Sequence, residues 1–465
     1  MNRKFIFNCL FLLLVTLPEL TGKDSPSFEF YTFGEGGQNK MMYDRRQRPG
    51  AVYLDGRVFI AFNAGSDEAA KKRAPTQPMV IAYDPDTHRF SESVILGPTS
   101  TDHHHGPVIW ADTKNILHTL SGCHKTPGLH LVAREAETIG SSLADWKYGW
   151  GIAPMISYPS IWRISSDRQL IYYRTGQHPS SWTYRISEDN GKTWEAPEQD
   201  VVDLDSTDRF EWSSYHTVRP DPTGRFLHVA FMAYDDNRAD DPKRSYNSRY
   251  DSDLSHLSIK YNLYYIKIDL QSQAVTNYLG QSLKTPIHLD QADVECRIWD
   301  TGWRGAGVPP DIEFDQNDQP VFLQGLSGKT PEEYNYHFVR LINGKWKSTP
   351  ITSSTHRWNS GHLRRTQDGA YHAYLLVGDG LLNTGGDMDR YGGGRIEEWI
   401  SKDQGNNWRR HRDLTPGKRE FPGWKFNNIQ PVTHPDGSVV EGMLLFYGWK
   451  DKDAPKARGF LMQNL

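Results

Sequence analysis

The sequence predicts an all-β protein: a single seven-bladed β-propeller of four-stranded antiparallel blades. One arrangement recurs seven times along the 465 residues: a strand, a turn rich in Asp and Gly, and a more apolar strand. Most copies are followed by a second, more amphipathic hairpin, and two hairpins make one blade. Seven copies leave roughly sixty residues for each blade, enough for four short strands and their loops.

The seven first hairpins follow one another at regular intervals along the chain. They span Ala51–Phe62, Pro107–Leu120, Ser157–Tyr173, Tyr215–Ala233, Pro309–Leu323, His362–Leu376 and Val432–Tyr447. The clearest second hairpins are Trp182–Glu195 and Tyr336–Ile351, which turns at Asn343-Gly344. Two further strands, Phe28–Phe33 and Ala457–Leu465, are predicted to pair with each other and close the ring.

Two of the second hairpins carry the Asp-box pattern Ser-x-Asp-x-Gly-x-x-Trp. Its members are Ser187, Asp189, Gly191 and Trp194 in one copy, and Ser401, Asp403, Gly405 and Trp408 in the other. The Asp side chain accepts backbone N–H bonds of the turn, Gly takes a positive φ, and Trp packs back on the blade. We interpret both copies as structural turns away from the chemistry.

Composition excludes a nucleic-acid binder driven by bulk charge, because 53 Lys and Arg face 57 Asp and Glu. The 15 Trp, 23 Tyr and 19 Phe fit a β-rich protein with aromatic sugar-binding surfaces.

Arg3 and Lys4 precede the apolar run Phe5–Leu17, which is too short to span a bilayer and is typical of a secretory signal. We therefore expect a signal peptide at 1–22 and a catalytic propeller at 23–465, secreted or periplasmic, with no membrane segment and monomeric.

Only Cys123 and Cys296 follow the predicted signal, so at most one disulfide can form. Neither a disulfide framework nor a zinc motif is predicted: Cys296, His288 and Asp293 are scattered candidates for a structural cation, which stays open. No metal or other cofactor is expected in catalysis.

Propeller topology predicts where the functional site lies. The first strand of each blade is innermost, so its start and the end of the second strand meet near the axis on one face. The side chains there are rich in His, Tyr and Arg and poor in carboxylates. They are Arg48, His103–His105, His124, Tyr158, Arg174, Gln177, Tyr215, His216, the Arg304 region, Asn359, His362 and Asn427.

A basic and phenolic ring suits an acidic ligand, and uronic acids or sulfated sugars are the obvious substrates of an exported protein. Glycoside hydrolysis needs two opposed carboxylates, which these positions lack. Elimination needs a cation to neutralise the uronate carboxylate, a base and an acid. His, Tyr and Arg are sufficient for it.

The segment Asp102–Pro107, with His124 twenty residues after His104, resembles the Asp-x-His-x-x-Pro and downstream His pattern of propeller polysaccharide lyases, the ulvan lyases with BNR-type repeats. Tyr158 and Arg174 resemble the Tyr and Arg pair of that family, and Tyr215 matches a further active-site Tyr. The resemblance covers essentially the whole chain after the signal. Within the triple histidine, spacing selects His104, and either neighbour remains an alternative.

The resemblance implies β-elimination at a rhamnose–uronate linkage, often with 3-sulfated rhamnose on the leaving side, and an anionic polysaccharide as the partner. Arg174 would neutralise the carboxylate, helped by one histidine. Tyr158 would act as acid or base, with its pKa lowered by Arg174 if it is the base. His104 and His124 would share proton transfer according to whether the uronate is glucuronate or iduronate, and Tyr215 would assist.

Five other residues are candidates for substrate binding at flanking positions: His105, His216, Arg297, Arg304 and His362. Two other functions stay open. A sialidase-like glycoside hydrolase shares the propeller and the Asp-boxes, but it needs several arginines and a Tyr–Glu nucleophile pair. A non-catalytic glycan-binding propeller predicts saturable binding without product.

Overall fold

The computed structural model describes residues 28–37, 41–65, 75–102, 104–165, 167–204, 212–235, 260–305, 307–329, 333–356, 358–378, 392–417, 419–450 and 457–465. The predicted signal peptide and His103 lie outside these residues. Within them the protein is all-β, as the sequence predicts, and is organised mainly as four-stranded antiparallel sheets. Such sheets are the building units of a β-propeller.

Three sheets come from the N-terminal half and the two chain ends. The first contains, in spatial order, β1 (Glu29–Gly37), β30 (Ala457–Gln463), β29 (Val439–Trp449), β28 (Lys425–Thr433), β2 (Ala51–Leu54), β3 (Arg57–Gly65), β4 (Thr76–Asp84) and β5 (Arg89–Phe90), with β6 (Val94–Ile95) also on β4. The second contains β7 (Val108–Ala111), β8 (Ile116–Ser121), β10 (Leu129–Ala136) and β11 (Trp146–Tyr148). The third contains β9 (His124–Thr126), β12 (Ile156–Arg163), β13 (Gln169–Arg174) and β14 (Trp182–Ser187).

Three more sheets complete the described chain. The fourth contains β15 (Trp212–Pro220), β16 (Phe226–Asp235), β17 (Lys260–Asp269), β18 (Val275–Thr276) and, also on β17, β19 (Arg297–Trp299). The fifth contains β20 (Asp311–Phe314), β21 (Pro320–Leu326), β22 (Asn335–Ile342) and β23 (Lys345–Ser353). The sixth contains β24 (Gly361–Arg365), β25 (Tyr371–Val377), β26 (Arg395–Ser401) and β27 (Arg409–Asp413).

Helical structure is confined to single turns in the described ranges. They are a 3₁₀ turn at Leu143–Asp145, α1 at Leu289–Gln291 and a π-helical turn at Ala292–Cys296. None of these turns has the length or the apolar character to cross a bilayer.

All seven predicted first hairpins are confirmed, since each pairs two successive antiparallel strands. The predicted pairing of the two chain ends is also confirmed: β1 runs antiparallel to β30, with Glu29 opposite Gln463. β1 extends to Gly37, further than the predicted end at Phe33. Both predicted second hairpins form, although Glu195 meets β14 through a single bridge to Ile186.

The first strands of the sheets face a common axis. One narrow cavity is lined by residues from β12, β15, β20, β24 and β28, namely Trp162, Val218, Asp311, His362 and Gln430, together with Arg48. The apolar cores lie between neighbouring sheets: Phe59 of the first sheet, for example, shares a buried cluster with Ile109 and Leu131 of the second. Burial between neighbouring sheets therefore holds the sheets together, and inner strands of five of them lie around one cavity.

The two Ser-x-Asp-x-Gly-x-x-Trp segments form the same turn. In the second copy Ser401 Oγ donates to Asp403 Oδ1 at 2.8 Å, and the Gly405 amide donates to Ser401 Oγ at 2.8 Å. Trp408 Nε1 donates to the Gly405 carbonyl at 3.2 Å. The hydrogen bonds close the turn locally, which agrees with a structural role.

Gly405 is expected to be intolerant of any side chain. Its φ is +85°, and an added Cβ would lie 2.2 Å from Phe338 Cε1. Gly405→Ala should therefore lower the free energy of unfolding by about 1–3 kcal/mol, measured by thermal or denaturant unfolding. The matched control is Gly417→Ala, where an added Cβ meets no atom within 4 Å. Equal stability of the two variants would contradict the prediction.

Candidate functional site

The five predicted catalytic residues converge on one cluster, with Tyr158 at its centre. The Tyr158 ring centroid lies 5.4 Å from that of His104, 5.6 Å from that of His124 and 5.6 Å from that of Tyr215. The Arg174 guanidinium carbon lies 4.8 Å from the Tyr158 ring centroid and 5.6 Å from that of Tyr215. Residues from the third and fourth sheets and from the loop before β7 thus meet in one place.

A backbone irregularity aims Tyr158 into this cluster. Its φ is +55°, and the pairing of β12 with β13 shifts register between Ser157 and Ser160. A bulky residue in the left-handed region is strained, and such strain is concentrated at functional sites. The bulge re-aims the side chain, which regular alternation along β12 would not do.

Each of the two histidines is held by a carboxylate. His104 Nδ1 lies 3.0 Å from Asp44 Oδ2, and His124 Nδ1 lies 2.7 Å from Asp102 Oδ2. An ionised carboxylate only accepts, so each Nδ1 carries the proton and, in the neutral ring, each Nε2 is an acceptor. His124 Nε2 is buried and has no hydrogen-bond partner among the described residues. In the neutral form of either ring, Nε2 is therefore the nitrogen that can accept a proton as a general base.

Both carboxylates are strongly stabilised as anions. Burial acts to raise the pKa of Asp44, but the Arg46 guanidinium and the hydrogen bond from His104 outweigh it and hold that pKa well below its usual range. Burial likewise acts to raise the pKa of Asp102, and the hydrogen bonds from the His124 ring and the His104 amide outweigh it. Both carboxylates thus stay charged well below neutral pH and keep orienting the histidines.

Asp44 and Arg46 were missed by the sequence analysis. Arg46 Nε donates to Asp44 Oδ1 at 2.8 Å, and the Arg46 guanidinium carbon lies 4.7 Å from the Tyr158 ring centroid. The two residues belong to the polar run Asp44–Arg48, which precedes the first predicted hairpin and matches no motif. A run of charges is usually a solvated surface, yet four of these five residues are at least nine-tenths buried. No local pattern in the sequence distinguishes a buried run of charged residues from a solvent-exposed one.

A further cation beside the cluster was also missed. Lys260 is 2% exposed, and its Nζ lies 5.1 Å from the Tyr215 ring centroid. The same nitrogen lies 4.6 Å from the Tyr234 ring centroid and 4.3 Å from the Trp358 ring centroid. The aromatic cage keeps a positive charge near Tyr215.

Arg174 has the features of an anion-binding residue. Its side chain is fully buried at the end of β13, and its Nε donates to the Gly176 carbonyl at 3.3 Å. Both terminal guanidinium nitrogens are buried without a hydrogen-bond partner among the described residues. Unsatisfied buried donors on a charged group are costly, and an anionic ligand would satisfy them.

The acidity of Tyr158 differs from the expectation. Burial, followed by the neighbouring Tyr215, raises the pKa of Tyr158 well above its usual value, and the opposing effects of Arg46 and Arg174 are smaller. Arg174 thus acts to lower the pKa of Tyr158, as expected, but the effect of burial is larger. The phenol is protonated at neutral pH, which suits a proton donor better than a resting-state base.

The candidates for flanking substrate binding are placed differently from one another. His105 borders the cluster: its Nδ1 lies 2.7 Å from Ser100 Oγ, and its ring centroid lies 6.5 Å from that of His124. His362 lies on the axis, where its Nδ1 is 2.9 Å from Asp311 Oδ2. Asp311 also pairs with Arg45 and Arg48, so His362 belongs to a second, axial ion cluster.

Three other candidates are committed to internal contacts away from the cluster. His216 uses both ring nitrogens, one 2.7 Å from the Tyr172 hydroxyl and the other 2.7 Å from Ser214 Oγ, and it stacks on Trp182. Arg297 lies on β19 and pairs with Asp300. Arg304 donates to the carbonyls of Ser327 and Glu333. For these three the structure gives no support to the predicted contact with substrate, because local partners already occupy their polar groups.

The three residues considered for a structural cation site, His288, Asp293 and Cys296, are not grouped as metal ligands either. In the part of the chain that the structure describes, no three His, Cys, Asp or Glu residues are grouped as metal ligands. His288 Nδ1 bonds the Asp203 carbonyl, and Asp293 accepts from the Tyr264 hydroxyl. Cys123 and Cys296 are buried free thiols.

Asp44 is expected to matter for catalysis through His104. Asp44→Asn preserves the shape but removes the charge that fixes the His104 ring, so kcat should fall by about 10²-fold while KM changes little. Asp55→Asn, in the exposed β2–β3 turn, is the matched control because Asn tolerates the φ of +46° there. An Asp44→Asn variant with unchanged kcat would contradict this role, and unfolding curves of both variants separate it from a loss of folding.

The chain is similar to a BNR repeat family and to ulvan lyases. A family model described as "BNR repeat-containing family member" matches residues 63–354. A curated ulvan lyase of Nonlabens ulvanivorans is 20% identical over 433 residues, covering 85% of this chain and 82% of the relative. An ulvan lyase of Alteromonas sp. (strain LOR) is 21% identical over 280 residues, covering 55% of this chain and 53% of the relative.

Solved structures show the same fold at low identity. An ulvan lyase from a new family of polysaccharide lyases matches with a TM-score of 0.70 at 15% identity, covering 92% of this chain and 95% of that one. Another structure of that lyase type, bound to -[GlcA(1-4)Rha3S]-, also matches with a TM-score of 0.70 at 15% identity, covering 92% of this chain and 94% of that one. The likeness extends over nearly the whole described chain.

Proposed function

The chain belongs to the BNR repeat-containing family, and on that premise we propose that it is a polysaccharide lyase acting on ulvan. It cleaves at a rhamnose–uronate linkage by β-elimination and leaves an unsaturated uronate end. The observation that carries the proposal is the buried Arg174 guanidinium, whose terminal nitrogens have no hydrogen-bond partner among the described residues and whose carbon lies 4.8 Å from the ring centroid of Tyr158. The names and substrates of the relatives support the choice of ulvan.

Arg174 binds the uronate carboxylate in this mechanism. Two parallel N–H···O bonds from its terminal nitrogens neutralise the carboxylate and stabilise the charge that develops when the C5 proton leaves. Arg46 adds positive charge on the Tyr158 ring, although its own donors are largely occupied by Asp44. Arg174 is thus the group that makes the C5 proton acidic enough to remove.

The proton transfers follow from the hydrogen bonds. The Nε2 of His104 or His124 takes the C5 proton, according to which face of the uronate carries it, and Asp44 or Asp102 stabilises the imidazolium that forms. The electron pair of the C5–H bond becomes the C4=C5 double bond as the C4–O bond breaks. The Tyr158 phenol donates its proton to the departing rhamnose oxygen, and Tyr215 packs against that ring.

Among the residues that the structure describes, no opposed pair of carboxylates is found at the cluster for the hydrolase alternative. The carboxylates next to Tyr158 are Asp44 and Asp102, and each is already bonded to a histidine. Neither is placed as a free acid opposite a second carboxylate, as hydrolysis requires. Arg48, one of the residues predicted near the axis, pairs with Asp311.

We also propose that the sheets form seven blades and that the protein is exported. The first sheet holds two four-stranded groups, β1-β30-β29-β28 and β2-β3-β4-β5, joined by the single parallel pair Val52 and Thr433. Counting those groups separately supports seven blades in one catalytic domain from 23 to 465.

The leader-like segment 1–22 supports secretion or periplasmic export, and the protein acts as a monomer without a catalytic metal.

The test is ultraviolet absorbance during incubation with ulvan and with other uronate polysaccharides, alongside a reducing-end assay. A rise in absorbance with ulvan is expected, because elimination creates a conjugated double bond and hydrolysis does not. New reducing ends without absorbance would establish a hydrolase instead. Saturable binding with neither signal would establish a glycan-binding protein.

A further inference from the structure

The cavity enclosed by the inner strands of five sheets is small and polar. It has a volume of about 40 Å³, and its lining includes Arg48, Asp311, His362 and Gln430. We call it the axial cavity. Because about 10–15 Å³ of such volume holds one water molecule, the axial cavity has room for one small ion or a few waters and none for a sugar ring.

Two buried nitrogen atoms in the lining lack a partner. Gln430 is 2% exposed and His362 is 3% exposed. The Nε2 atom of each is buried without a hydrogen-bond partner among the described residues. The other ring nitrogen of His362 is already used, since Nδ1 lies 2.9 Å from Asp311 Oδ2. An occupant that bonds both Nε2 atoms would remove the cost of leaving them unsatisfied.

The side chains around the axial cavity carry more positive than negative charge. Asp311 Oδ1 lies 3.4 Å from Arg45 Nη2 and 3.1 Å from Arg48 Nη2, so one carboxylate serves two guanidinium groups. The other arginine of the lining, Arg219, has its own carboxylate, Glu313, at 3.1 Å. In this group of described residues three arginines thus face two carboxylates. One positive charge is left uncompensated even when the neighbouring histidine is neutral.

The charges at Asp311 and Arg45 persist at neutral pH. Burial acts to raise the pKa of Asp311, but His362 and the two guanidinium groups outweigh it and hold that pKa well below its usual range. Burial lowers the pKa of Arg45 to about 10, and Asp311 opposes that fall. Both groups are therefore ionised at pH 7. An uncompensated buried charge is costly, and an anion would compensate it.

The axial cavity adjoins a wider pocket of about 610 Å³, because Arg219, Pro220 and Gly437 line both. The wider pocket is also lined by Arg163, at the end of β12, whereas Tyr158 of the catalytic cluster lies near the start of that strand. The wider pocket is therefore at the opposite ends of the inner strands from the cluster. An ion in the axial cavity is separate from the substrate.

We propose that the axial cavity binds one small monovalent anion of the size of chloride. The Gln430 amide donates to the anion through Nε2, and Arg48 supplies the compensating charge. His362 donates through its own Nε2 once the ring is doubly protonated, with Nδ1 bonded to Asp311. A water molecule could bond both Nε2 atoms but would leave the excess positive charge in place. The proposal goes beyond the proposed function and does not depend on it.

The experiment measures the melting temperature of the full chain in sodium chloride and in sodium gluconate at equal ionic strength and pH 7. Gluconate is too large for the axial cavity. Wild type should melt about 3 °C higher in 100 mM than in 1 mM chloride, with gluconate making up the ionic strength. Gln430→Leu removes a donor and Arg48→Met removes the excess charge, so each should lose this shift.

Gln169→Leu is the matched control. Gln169 is also a buried glutamine whose Nε2 has no hydrogen-bond partner among the described residues, but it lies on β13 and does not line the axial cavity. Its variant should keep the chloride-dependent shift, whatever its own melting temperature.

Three results would overturn the proposal. Wild type could melt at the same temperature in both salts, or Gln430→Leu and Arg48→Met could both keep the full shift, which would indicate an effect of salt on the surface. If the variants do not fold, anomalous diffraction from wild-type crystals grown in sodium bromide decides. A bromide peak between Gln430 and His362 supports the anion site, and a water molecule alone at that position contradicts it.

Discussion

Arg174→Met is expected to lower kcat/KM on a uronate polysaccharide by about 10²–10³-fold without lowering the melting temperature. Methionine keeps most of the buried volume and removes the positive charge. The two terminal guanidinium nitrogens have no hydrogen-bond partner among the described residues, so the buried charge costs folding free energy. Losing it should leave stability unchanged or raise it.

The combination of lost activity and retained stability distinguishes a ligand-binding arginine from a structural one. A structural arginine would bring a drop in stability, because its partners would be left unsatisfied. Arg304→Met supplies that comparison: Arg304 donates to the carbonyls of Ser327 and Glu333, so its loss should lower stability with little effect on kcat. An Arg174→Met variant that is fully active, or that is inactive only because it unfolds, would contradict the assignment.

Tyr158→Phe is expected to lower kcat by about 10³-fold with KM nearly unchanged. The substitution removes one oxygen and leaves the ring contacts with His104, His124 and Tyr215 in place. Because burial raises the pKa of Tyr158 well above 10, the hydroxyl stays protonated through the neutral range. The wild-type rate should therefore show no alkaline loss attributable to this group below about pH 10.

Tyr184→Phe is the matched control for this substitution. Tyr184 lies in the same sheet, on β14, and its buried hydroxyl has no hydrogen-bond partner among the described residues. Its removal should leave both the rate and the stability at the wild-type level. Comparable losses in the two variants would show that Tyr158 contributes packing rather than a proton.

The fold was largely predictable from the sequence, because its signals are local. Each hairpin places its turn residues and alternating apolar residues within about twenty positions, and the positive φ at Asp55-Gly56 or Asn343-Gly344 is what such pairs provide. The same regularity indicated that His104, His124, Tyr158, Arg174 and Tyr215 lie at corresponding strand ends. Their convergence then follows from the common axis.

The structure supports the predicted binding residues least where side-chain direction decides. His216 was grouped with Tyr215 because both lie near the start of β15, yet successive residues of a strand point to opposite faces. Tyr215 faces Tyr158 and Arg174, while His216 lies in the core against Trp182 and Tyr172. Arg297 and Arg304 were predicted to bind substrate as cations, but Arg297 pairs with Asp300 and Arg304 donates to two backbone carbonyls.

The sequence by itself determined the repeating hairpins, the pairing of the chain ends and the set of His, Tyr and Arg residues at the inner strand ends. Only the tertiary structure decided that Asp44 contacts His104, sixty residues away in the chain. Tertiary packing also imposes the left-handed conformation that turns Tyr158 into the cluster. The physical reason is that local propensity encodes turns and strands, whereas contacts across sheets, burial of charge and backbone strain arise only when distant segments pack against one another.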